Sequence, residues 1–129
     1  MTRHLIEQIL SGINKMVESY EKLHNFEKHG CTNEQIKKEL HSMESSTEEL
    51  TLLMARLQKE NLGKIQGMST IESIFKITYL PTLKIHLIYL EQMGESNVSL
   101  LKIQSRLAIT YLNVDGCIDN LRIIHAYLK

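Results

Sequence analysis

Apolar residues recur along this chain in steps of three and four, the spacing that stacks side chains on one face of an α-helix. Ile6, Ile9, Ile13, Met16, Tyr20 and Leu23 follow it without a break, with Leu10 and Val17 widening the stripe. They predict a first helix over residues 2–28, ended by His29-Gly30-Cys31. A second opens at Thr32-Asn33-Glu34-Gln35, where the first and last side chains can each satisfy the other residue's backbone N–H. Its seam is Ile36, Leu40, Met43, Thr47, Leu50, Met54 and Leu57, with Asn61-Leu62-Gly63 as the exit. The seam passes through a polar neck, Glu44-Ser45-Ser46-Thr47-Glu48-Glu49, without losing phase, so one continuous helix is expected.

Residues 63–69, with Gly63 and Gly67, read as a connection. The third helix, residues 71–93, is the most apolar stretch and holds the single proline, Pro81. Ser69-Thr70-Ile71-Glu72 fits a capping box and Gly94 a stop. At about 100° per residue, Ile71, Ile74, Ile77, Ile85 and Ile88 share one broad face. Leu80, Leu83, Leu87 and Leu90 form a second arc, with Lys84 and Glu91 in the gap. A surface helix normally carries one apolar stripe. Once the isoleucines occupy the internal seam, the four leucines need another cover. Pro81 lacks a donor and crowds the preceding turn, which predicts a kink or short break at residues 79–81.

The fourth pattern starts after Gly94, with Ser96 as the cap. Leu100, Leu107, Tyr111, Val114, Ile118, Leu121 and Leu128 are in phase, with Gln104 and His125 as polar members. Asp115-Gly116 is a turn signal inside it. An unbroken helix would be about 48 Å long, against about 40 Å for the first helix, a mismatch that favours a bend or split at Gly116. Four long amphipathic helices with short connections predict an all-α fold. The expected architecture is an antiparallel four-helix bundle, its third helix kinked at Pro81, with residues 1–129 forming one domain.

Charge adds little. Fifteen basic and fifteen acidic side chains cancel, so no global field draws the chain to nucleic acid or an anionic membrane. Arg3, Arg56, Arg106 and Arg122 do not cluster, which leaves nucleic-acid binding unsupported. From Ile77 to Leu90 the apolar run includes Lys84 and His86 and falls short of the roughly 20 residues a membrane span needs. The N-terminal MTRHLIEQIL lacks the apolar core of a secretory signal. Cys31 and Cys117 fall about 30 Å apart along the bundle axis, beyond the reach of a disulfide. Two free thiols and a cytoplasmic, reducing location are therefore expected. Cys31, beside His29 and near a helix N-terminus, reads as a small turn residue before it reads as a nucleophile. Of the histidines, only His24 in Glu21-x-x-His24 has ligand spacing. Di-iron bundles need two such pairs and two further glutamates, so neither metal nor cofactor is expected.

The segment Asp119-Asn120-Leu121-Arg122-Ile123-Ile124-His125-Ala126-Tyr127 resembles the active-site helix of HEPN-type helical ribonucleases. That family sets an arginine four to six residues before a histidine, often with a tyrosine two further on. The resemblance covers this segment and the general bundle size. It implies a dimeric site in which arginine steadies the scissile phosphate while the histidine, here His125, moves protons. Asp119 or Asn120 occupies the family's arginine position, and Arg122 lies closer to His125 than the pattern requires. A degenerate ribonuclease, or an inactive relative, is thus the alternative reading. The favoured one is a non-enzymatic protein–protein interaction module: an adaptor, inhibitor or regulator whose partner-binding residues are Leu80, Leu83, Leu87 and Leu90. Its expected partner is another protein or a second copy, giving a homodimer.

Overall fold

A computed structural model of the chain describes residues 2–60, 68–94, 97–113 and 116–127. Asn61, Leu62, Gly63, Gly67, Ser96, Val114, Asp115 and Leu128, which figure in the sequence reading, lie outside the described residues. Among those described the chain is all-α, with five helical rods and no strand. The first two are α1 (Thr2–His29) and α2 (Asn33–Lys59). The third is continuous but composite: α3 (Met68–Ile74), a π-helical turn (Phe75–Tyr79) and α4 (Leu80–Met93). The last two are α5 (Val98–Tyr111) and α6 (Cys117–Tyr127). The chain has five rods where four were expected because the fourth divides at Gly116, whose φ of 71° lies in the left-handed region that glycine enters without a Cβ clash.

α2 buries every residue of its predicted seam, and α1 follows its own except that Val17 is exposed and Tyr20 half-buried, with Ser19 buried beside it. Thr32 accepts from the Gln35 backbone N–H at 3.2 Å, and Gln35 Oε1 accepts from the Thr32 N–H at 2.8 Å, completing the capping box. α2 runs unbroken through its polar neck. The buried Thr47 hydroxyl donates to the Met43 carbonyl at 2.7 Å, so it brings no unmet polar group inside.

The third rod departs from its pattern, and Pro81 is the reason. Proline has no N–H, and its ring collides with the carbonyl four residues back. Just before it, the Leu80 N–H bonds to the Phe75 carbonyl five residues back, so the ladder widens. A π turn holds about one residue more than an α turn, which sets everything downstream back by roughly 100°. That rotation aligns Met68, Ile71 and Phe75 with Leu80, Leu83, Leu87 and Leu90, and all seven are buried. The break predicted at residues 79–81 is thus a change of helix type rather than an interruption. Gly94, at φ 74°, ends the rod as expected.

The Ser69–Glu72 pair does not cap. The helix already includes Met68, and both side chains tie the rod to α2 instead. The Ser69 hydroxyl donates to Gln58 Oε1 at 2.9 Å, and Gln58 Nε2 donates to Glu72 Oε2 at 2.8 Å.

α5 also differs from its pattern by one residue. Its cap is Asn97, whose Oδ1 accepts from the Leu100 N–H at 3.0 Å. The buried stripe is Leu101, Ser105, Ala108 and Leu112, while Leu100, Leu107 and Tyr111 face out. Serine and alanine at the centre of that stripe let α5 approach α1 closely. Lys102 closes this seam, donating to Glu27 Oε1 at 3.0 Å and lying 3.1 Å from His24 Nδ1. α6 continues along α1, with Cys117 and Leu121 buried against the common core that every rod feeds.

Candidate functional site

The predicted partner-binding leucines lie inside the molecule. Leu80, Leu87 and Leu90 are each 8% exposed and Leu83 is fully covered, all by this chain's own side chains. The apolar surface sits on the opposite flank of the same rod: Ile77, Ile85, Ile88, Tyr89 and Met93 are 47–76% exposed. The sequence places excess apolar surface on the third rod, and so does the structure, but on the isoleucine side. The π turn exchanged the two faces. One signal was present before the structure: Phe75, Tyr79, Leu83 and Leu87 are spaced by four each time. An undistorted helix would drift by about 40° per such step, so that spacing asks for a wider turn.

α5 contributes the facing surface. Leu100 and Gln104 line the side of α5 turned toward α4, and Leu107 and Tyr111, in phase with them, are exposed further along the helix. α1 packs closely on α2 and α5, and α2 on α4. Among the described residues α4 and α5 approach one another less closely than any of those pairs. The gap is a groove of about 640 Å³, walled by Thr82, Ile85, Tyr89 and Met93 on one side and Leu100 on the other. Its floor is polar but matched. The buried His86 Nε2 lies 3.0 Å from Gln104 Oε1. Deeper, the Tyr79 hydroxyl donates to Ser105 Oγ at 3.1 Å. Burial pushes the Tyr79 phenol from 10.0 up to about 12, so it remains a neutral donor throughout the physiological range.

The other candidates are engaged elsewhere. His125 lies on the surface at the α6–α1 contact, its Nε2 2.9 Å from Glu7 Oε1 and 3.5 Å from Arg3 Nε. The His125 hydrogen bond, with Arg3 alongside, holds the Glu7 carboxyl below the usual carboxylate range. Arg122 is exposed. Cys31 and Cys117 are free thiols. Burial raises Cys31, contrary to what an activated nucleophile needs, and takes Cys117 up to about 11. Among the described residues no group of three or more His, Cys, Asp or Glu side chains is placed to hold a metal ion, and no helix is long and apolar enough to cross a membrane. A smaller cavity of about 320 Å³ lies where the polar neck of α2 meets α1, between Ser11, Lys15, Ser46 and Glu49. Glu39 is buried, with one carboxylate oxygen 3.6 Å from the exposed Lys22 ammonium and the other without a hydrogen-bond partner.

No protein-family model matches this chain, and comparison with curated proteins and with solved structures finds no similar one. The functional reading therefore rests on the geometry of the α4–α5 face.

Proposed function

We propose that this protein is a non-enzymatic interaction module, an adaptor, inhibitor or regulator, that binds another polypeptide on the α4–α5 face. We read its rods as an antiparallel bundle with four positions, α5 and α6 sharing the last. The pairings Lys22–Glu39, Lys102–Glu27 and His125–Glu7 support that order, since each joins opposite ends in sequence. On this reading three sides of the bundle are closed by packing and the fourth is open.

The observation that carries the proposal is the concentration of large apolar side chains on that fourth side. Ile85, Tyr89, Met93 and Leu100 line the groove and are each about half to seven-tenths exposed, and Ile88, Ile103, Leu107 and Tyr111 add further exposed apolar surface on the same two helices. Fully burying such a side chain is worth about 1.5–3 kcal/mol, so each forgoes on the order of 1 kcal/mol in water. Apolar patches of this extent on soluble chains mark binding surfaces. The alternative, a degenerate HEPN-like ribonuclease centred on His125, has less support. Its histidine is held by Glu7 and Arg3 on the surface, away from the groove.

Site-specific photocrosslinking tests the proposal. A photoreactive residue replacing Tyr89 is expected to capture a polypeptide in cells, whereas one replacing the remote exposed Leu52 is not. Absence of a polypeptide adduct at position 89 overturns the proposal.

A further inference from the structure

We infer that the polypeptide covering the α4–α5 face is an amphipathic α-helix of a partner protein, seated through an uncharged apolar stripe. The inference rests on the reading of that face as a protein-binding surface and gives its occupant a conformation and a chemistry. Charge is the first warrant. Charged residues make up 23% of the chain, yet among the described residues none lines the groove. α4 and α5 carry four, Lys84, Glu91, Lys102 and Arg106, and all are turned away from it. At about 100° per residue, Lys84 and Glu91 fall on the flank of α4 opposite Tyr89 and Met93. Lys102 is held against α1 by Glu27, and Arg106 lies about 160° round α5 from Gln104. A charged partner stripe would leave water here without a counter-charge, whereas an uncharged one complements the groove.

Hydrogen bonding decides the conformation. The walls are helices whose backbones bond within themselves. Their polar side chains along the groove are also engaged. The Thr82 hydroxyl donates to the Thr78 carbonyl at 2.8 Å, and Asn97 Oδ1 accepts from the Leu100 N–H at 3.0 Å. His86 and Gln104 face each other across the floor. An extended peptide pairs its backbone with a sheet edge, and among the described residues there is no strand to offer one. Laid in this groove, its N–H and C=O groups would lose water without gaining partners. A helix bonds its own backbone and brings only side chains to the contact.

The walls also set the length and spacing of the occupant. α4 and α5 have 14 residues each, about 21 Å of helix apiece. On α4, Ile85, Tyr89 and Met93 follow one another at four-residue steps, and on α5 Leu100 is in phase with Leu107 and Tyr111. Such rows are the ridges between which the side chains of another helix seat. A partner helix of about 14 residues spans the face, with apolar side chains at i, i+3 or i+4, i+7 and i+11 pointing into it.

The probe is a phage-displayed library of random peptides about 16 residues long, selected on the wild-type protein and depleted on Ile85→Arg, whose fold circular dichroism checks. Selected peptides are expected to carry that stripe free of charged residues and to gain helical circular dichroism on mixing with the protein. Proline or lysine at the central stripe position is expected to weaken binding at least tenfold by fluorescence anisotropy. Peptides without the stripe, with charges in it, or indifferent to proline overturn the inference. So does a selection that yields no peptide able to distinguish wild type from Ile85→Arg. The crosslink at position 89 separates the two levels. A polypeptide adduct there beside a failed selection leaves the interaction module standing and removes the helix. An adduct formed only between copies of this chain makes the occupant a second copy and removes the foreign helix. No adduct removes both readings.

Discussion

The two faces of α4 have nearly the same composition and opposite fates. One carries Leu80, Leu83, Leu87 and Leu90 and is buried. The other carries Ile85, Ile88, Tyr89 and Met93 and is about half or more exposed. Hydrophobicity does not separate them; phase does. The buried face is the one that the π turn aligns with Met68, Ile71 and Phe75, and those residues are committed to the core by the contacts of α3 and the π turn with α2. When a helix has more apolar surface than its own fold can use, local geometry upstream decides which part becomes interior and which is left for a partner. Pro81 therefore acts at a distance: it widens one turn, and the widened turn chooses the exposed face.

The hardest test of this comparison is to place the same charge on each face. Leu87→Arg puts a guanidinium among buried leucines, and it is expected to cost more than about 4 kcal/mol, a large part of the roughly 5–15 kcal/mol that keeps a domain folded. Ile85→Arg, two residues away, is expected to change stability by less than about 0.5 kcal/mol. Urea denaturation followed by circular dichroism measures both, at concentrations where the chain is monomeric. Equal tolerance of the two substitutions would show that the assignment of faces is wrong.

That test also marks how far the sequence could be read. Helix content, the capping box at Thr32, the continuity of α2, the stop at Gly94 and the division at Gly116 follow from local chemistry and were legible. So was the surplus of apolar surface on the third rod. Its location was not, because a constant rotation per residue was carried across Pro81, and one inserted residue rotates every later side chain by about 100°. α5 failed for a different reason. Leu100, Leu107 and Tyr111 make a bulkier stripe than Leu101, Ser105 and Ala108, and periodicity weighted by hydrophobicity selects the bulky one. Close approach to α1 selects the small one, and that preference appears only once the neighbour is in place. The pairing of His125 with Glu7 joins residues 118 apart in sequence, beyond the range of any local pattern.

A smaller effect sharpens the boundary between the faces from below. Tyr79 ends the π turn, with its ring 5.9 Å from that of Phe75 and its hydroxyl on the fully buried Ser105. Tyr79→Phe leaves Ser105 without that partner and is expected to cost about 1–2 kcal/mol. The wild type should also lose stability at alkaline pH in a way this variant does not. The folded phenol, raised from 10.0 to about 12, keeps its proton while the unfolded one releases it. The unfolded state thus binds fewer protons in that window, and stability falls as pH rises from about 10 to about 12. The difference between the two proteins isolates this residue from the lysines and other tyrosines that titrate nearby. Parallel curves would mean that Tyr79 is not enclosed and that the π turn is open to solvent.

The smallest effect lies at the edge itself. Gln104 is half-buried on the groove floor against the buried His86, and Leu107, one turn further along α5, is half in solvent. Gln104→Ala removes a hydrogen bond to an enclosed imidazole and is expected to cost about 0.5–1.5 kcal/mol. Leu107→Ala deletes a larger apolar side chain, yet in the monomer its effect should stay within about 0.5 kcal/mol, because half of what it covers is water. By size alone the leucine should cost more; by position the glutamine should. If the glutamine is the silent one, the floor is wet, His86 belongs to the open side, and the groove reaches deeper between α4 and α5 than the packing of Tyr79 on Ser105 permits.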